Sequence, residues 1–70
     1  MTGQWRARQY SGDDGITLRV DCTMDAATYT ATQRLTRADE AEAAKDRLVR
    51  DIARSRRVSL PRAVKLEVWG

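Results

Sequence analysis

A chain of 70 residues allows one domain with a small core, since a protein of this size buries only about 60% of the surface its unfolded form exposes. One cysteine, Cys22, and no histidine exclude an internal disulfide and the common zinc arrangements, and no apolar run is long enough for a membrane helix or a secretory leader. Thirteen basic against ten acidic residues give a net charge of +3, which favours encounter with an anionic partner and identifies none.

Residues 4–10 alternate Trp5, Ala7 and Gln9 with Arg6, Arg8 and Tyr10, the period of a strand with two unlike faces. The Ser11-Gly12-Asp13-Asp14-Gly15 stretch breaks that pattern with residues that favour turns, so it reads as a hairpin loop. In residues 16–22, Ile16, Leu18, Val20 and Cys22 alternate with Thr17, Arg19 and Asp21, giving the second strand. Residues 24–27 show no clear period. From Thr28 to Leu35 a threonine ladder alternates with Tyr29, Ala31 and Leu35; the branched threonine Cβ suits a pleated sheet, which predicts a third antiparallel strand.

Thr36 stands where a helix N-cap belongs, with Asp39 three residues on to return a capping bond. Early acids Asp39, Glu40 and Glu42 and late bases Arg50, Arg54, Arg56 and Arg57 oppose the helix dipole at both ends. Ala38, Ala41, Ala44, Leu48 and Ile52, with Val49 beside them, form one apolar stripe. Pro61 bars continuation of the helix, and Val64, Leu66 and Val68 then alternate with Lys65, Glu67 and Trp69 as a closing strand. The expected fold is therefore α+β: one domain over residues 1–70, a two-layer sandwich with an antiparallel sheet packed on one helix, in the order β-β-β-α-β.

No general base of the usual kind and no phosphate-binding glycine loop is present, so no enzyme, cofactor, metal site or small-molecule substrate is expected. Asp13 and Asp14 have the backbone role of turn residues. Cys22, between Val20 and Met24 on one face of its strand, reads as a small core residue and points to a reducing, cytoplasmic setting.

If the strand phases hold, the sheet face turned away from the helix displays Arg6, Arg8, Tyr10, Thr17, Arg19, Thr28, Thr30, Thr32, Arg34, Lys65 and Trp69, opposed by Asp21 and Glu67. Guanidinium forks, hydroxyls and a stacking ring suit phosphate and base contacts. The candidate nucleic-acid-binding set is Arg6, Arg8, Tyr10, Arg19, Thr30, Thr32, Arg34 and Lys65, with double-stranded DNA as the expected partner. The plainer alternative is a solvated strand surface rich in Arg and Thr. Arg47, Arg50, Arg54 and Arg57 line a helix ridge that Asp46 and Asp51 could neutralise. The alternative function is a protein-interaction module, an oligomer or an inhibitor of a host protein, that uses an exposed strand edge and Trp69; Arg54 and Arg57 are further candidates for partner contact. Trp5, in phase with Ala7, is read as a core cap.

The run Trp5-Arg6-Ala7-Arg8-Gln9-Tyr10, the Gly/Asp turn, two further strands and Leu35-Thr36-Arg37-Ala38-Asp39-Glu40-Ala41-Glu42-Ala43 resemble the N-terminal arm-type DNA-binding domain of phage tyrosine integrases. That resemblance covers residues 4–52. It implies three strands packed on one helix and a sheet entering the major groove, with groove-facing roles for Arg6, Arg8, Arg19 and Arg34; the expected function is a small DNA-binding module, an accessory or regulatory protein of a phage or mobile element. The strand at residues 64–69 lies outside the resemblance, and no recombinase activity is carried over.

Overall fold

Two hairpins build most of the sheet. The computed structural model describes residues 2–69. Strands β1 (Gln4–Gly12) and β2 (Gly15–Met24) pair antiparallel with Ala7 opposite Val20, and β3 (Ala27–Leu35) pairs antiparallel with β2, Ala31 opposite Val20. The strands run further into their turns than the alternation predicts, leaving only Asp13-Asp14 and Asp25-Ala26 as connections. Gly15, at φ +128°, begins β2 in a backbone conformation closed to other residues. Asp25 adopts the left-handed conformation that its short polar side chain tolerates.

After β3 the chain makes a 3-10 turn (Ala38–Glu40), then helix α1 (Ala41–Arg56), and ends in β4 (Leu66–Trp69). The sheet order is β3-β2-β1-β4, and β4 pairs parallel with β1, Ala7 beside Leu66 and Tyr10 beside Trp69. The α+β class and the order β-β-β-α-β are as expected, but the sheet is mixed. The reason is topological: a helix that returns the chain along the sheet sends the following strand in the direction of β3, which β1 shares.

The expected alternation is realised in the packing. Leu18, Val20, Cys22 and Ala7 are fully buried against Leu35, Ala41, Ala44, Leu48, Val49 and Ile52, with Trp5 packed at the margin. Burial drives the Cys22 thiol pKa up, as for an inert core thiol. Because α1 lies over β2 and β3, the β4 end is covered only in part. Val68, expected inside, is 72% exposed.

The start of the helix also departs from the expectation. Thr36 does not cap it, and the Asp39 carboxylate accepts from the Arg37 guanidinium at 2.6 Å instead of returning to the backbone. Ala38 is exposed, so the apolar stripe begins at Ala41 and runs on to Ala53. At the other end Arg57 takes left-handed backbone, and the Val58 amide donates to the Ala53 carbonyl at 3.0 Å while Val58 itself is buried. This bond and apolar contact form a Schellman-type stop.

Lys45 lies on the buried side of the helix. Its ammonium donates to the Glu42 carboxylate at 2.6 Å and to the Val64 carbonyl at 2.7 Å, tying the connection of residues 57–65 to the helix. The Glu42 hydrogen bond raises the Lys45 pKa, and burial opposes that only in part. Charged hydrogen bonds to a carboxylate and to a backbone carbonyl explain how a lysine stays in this layer.

Candidate nucleic-acid interface

Among the described residues no helix or strand covers the sheet on the side away from α1, and the register fixes what stands there. Arg6, Asp21 and Thr30 form one cross-strand row; Glu67, Arg8, Arg19 and Thr32 form the next; Trp69, Tyr10, Thr17 and Arg34 form the third. Arg6, Arg8, Tyr10, Arg19, Thr30, Thr32 and Arg34 thus share one face. Lys65 is exposed but precedes β4, outside the paired rows.

The centre of this face is an ion network. The Asp21 carboxylate, its side chain 9% exposed, accepts from Thr30 Oγ1 at 2.6 Å, Arg19 Nε at 3.2 Å and the Arg8 guanidinium at 3.4 Å. Burial alone pushes its pKa up, but the Thr30 and Arg19 hydrogen bonds and the nearby Arg19 and Arg8 charges outweigh it, and the pKa falls below the ordinary carboxylate value. Arg8 also donates to the Tyr10 hydroxyl at 3.0 Å, and its Nε is buried without a partner. Arg6 grips Glu67 with two nitrogens, at 2.9 and 3.3 Å; that bond raises the Arg6 pKa and lowers the Glu67 pKa. Arg34 binds the Asp14 carboxylate at 3.2 Å and its carbonyl at 2.9 Å, holding the Asp14 pKa down.

The free donor capacity is therefore uneven. Arg6 and Arg8 are largely committed to protein acceptors. Arg19 spends only Nε on Asp21 and keeps both terminal nitrogens, and Arg34 is anchored by one terminal nitrogen at an exposed corner. At the β4 end Tyr10 and Trp69 stand 6.4 Å apart between centroids, tilted by 37°, with the Arg6 guanidinium 6.0 Å from the Trp69 ring.

The helix bases are separate from this face. Arg54 and Arg57 are exposed at the C-terminal end of α1, in the layer opposite Trp69, so those three residues do not converge. The expected ion-pair lattice on the helix ridge is absent among the described residues. Asp46 reaches Lys45 at 3.5 Å instead, and Arg47 donates to the Gln33 side chain across the layer. Arg56 lies over the Tyr29 ring at 4.3 Å, a cation–π contact.

Sequence reading passed over the hub role of Asp21. Its signal was available: an acid in phase with Arg19 on its own strand, and within one pleat of Arg8 once the hairpin register is drawn. Among the described residues no three His, Cys, Asp or Glu side chains converge on a metal-sized site, and no helix is long and apolar enough to cross a membrane. The chain matches no protein-family model, no curated protein and no solved structure.

Proposed function

We propose that the protein is a non-catalytic binding module that contacts double-stranded DNA through its open sheet face, in an accessory or regulatory role for a phage or mobile element. The observation that supports this is the charge balance of an uncovered surface. Arg6, Arg8, Arg19 and Arg34 stand on it against Asp21 and Glu67, with Asp14 only at a corner. Carboxylates that hold the guanidinium stems in place lower the entropy lost on docking, while the remaining N–H groups stay free for phosphate oxygens.

Arg19 and Arg34 carry the contact in this reading, with Thr32 beside Arg19 as a hydroxyl donor. The test is fluorescence anisotropy with a random duplex at ~50 and ~200 mM salt, where each neutralised phosphate contributes about 0.9 to the log–log slope. Arg19→Ala with Arg34→Ala should weaken binding and flatten that slope by about 2. Binding that ignores salt, or that survives both substitutions unchanged, overturns the reading.

A second reading is protein contact at the β4 edge. It is supported by Val68 and Trp69, exposed to 72% and 47%, which form an apolar margin of the kind that anchors a partner. Loss of a partner on Trp69→Ala with DNA affinity intact would select it.

A further inference from the structure

We propose that β3 is the seam of a two-fold dimer, in which the sheets of two copies join edge to edge with both α1 helices on the same side. Strand β3 is the outer strand of the sheet. An unpaired strand edge offers a row of amides and carbonyls, and native proteins usually protect it with charge, proline or a bulge. Here none of these is present over residues 27–33, Ala-Thr-Tyr-Thr-Ala-Thr-Gln, and the pairing to β2 is unbroken. The opposite edge differs: β4 has four residues and carries Glu67.

Three further observations select a second copy as the occupant. Antiparallel self-pairing centred near Ala31 or Thr32 sets Arg34 opposite a threonine of the other copy, so no like charges meet. Helix α1 lies over β2 and β3, and a strand spacing of about 4.8 Å puts the axes of two such helices roughly 10 Å apart, a normal helix packing distance. The helix ridge nearest this edge is Ala43, Arg47, Asp51 and Ser55, at four-residue spacing; it borders Gln33 at one end and Thr28 to Ala31 at the other. A two-fold axis through the middle of that ridge brings Arg47 of each copy against Asp51 of its mate, and Ala43 against Ser55. The middle of the ridge falls level with Ala31 and Thr32, the same centre that the strand pairing requires.

Such a dimer would double the open basic face along one continuous sheet; it joins through the β3 backbone edge and the helix ridge, while Thr32 and Arg34 of that strand keep their side chains on the open face, and it is read by mass rather than by affinity. The test is sedimentation equilibrium of the full chain from low micromolar to sub-millimolar concentration, without DNA. The expected result is a reversible species of twice the chain mass. Each salt contact occurs twice, so Arg47→Asp or Asp51→Arg alone should weaken the dimer by about tenfold or more, and the two together should restore it. Circular dichroism checks that each variant is folded. Should a single variant unfold, hydrogen exchange on the unmodified chain decides the matter: β3 amides slowed at high concentration support the seam, and unchanged rates overturn it. A wild-type monomer throughout, or a dimer indifferent to the single charge reversals, also overturns it.

Discussion

Replacing Asp21 with asparagine should cost the fold about 2 kcal/mol. The carboxylate is 9% exposed and collects three donors, from Thr30, Arg19 and Arg8. Asparagine keeps an acceptor for the Thr30 hydroxyl but loses the charge, and its amide nitrogen then faces guanidinium groups that cannot accept. Arg8 and Arg19 sit directly opposite each other on β1 and β2, so removing the carboxylate leaves two like charges as cross-strand neighbours. Breaking a buried pair by deleting one partner costs about 3–5 kcal/mol. Arg19 is 43% exposed and both arginine contacts exceed 3 Å, so solvent screening brings the value below that range, to about 2 kcal/mol. In a domain of this size total stability is of order 4–10 kcal/mol, and the melting temperature should fall by roughly 8–16 °C. Thermal melts followed by circular dichroism at neutral pH measure this directly. A fall of less than about 3 °C would show that Asp21 is buried for reasons other than this network.

The pKa values of Asp21, Glu67 and Asp14 are all depressed in the folded state. Their stabilisation is therefore complete above the unfolded carboxylate pKa, about 4, and disappears as pH falls through the lower folded values. Urea midpoints should stay level down to about pH 5 and drop below about pH 4, and Asp21→Asn should show a smaller acid loss than the parent chain. Gly15→Ala should destabilise by about 1–3 kcal/mol, because the added Cβ lies 3.2 Å from the Leu35 carbonyl at φ +128°; a denaturant midpoint equal to that of the parent contradicts this. Arg57→Gly should act in the opposite direction, raising stability by about 1 kcal/mol by relieving a left-handed non-glycine residue, as the same denaturation curves would reveal.

Much of the fold was legible because strands with one buried face encode their parity in the period of two. Leu18, Val20 and Cys22 set which side of β2 is covered, and Arg6, Arg8 and Arg19 then had to appear together on the other. Two features needed distance information that no local pattern carries, and a third turned on a competing neighbour. The parallel placement of β4 follows from where the crossover returns, and four residues of alternating Leu66, Glu67, Val68 and Trp69 read the same in either direction. The exposure of Val68 depends on how far α1 reaches across the sheet. The capping of the helix failed as an expectation because Arg37, an exposed neighbour, competes for Asp39, so the chain enters α1 through a tight turn. In the candidate site the members of the open face were readable one strand at a time. Of their electrostatic pairing only Arg19 with Asp21, two residues apart on one strand, was readable locally; the Arg8–Asp21 and Arg6–Glu67 contacts arise from register between strands.

The chain has two lysines, Lys45 and Lys65, and the fold treats them oppositely. Lys65 is open to solvent, whereas Lys45 has its Nζ sealed between Glu42 and the Val64 carbonyl. Acylation of Lys45 consequently requires the segment that crosses from helix to last strand to lift away, while Lys65 provides an internal standard for the intrinsic rate. Mass spectrometry of the two modified sites would thus time that local opening without an introduced label.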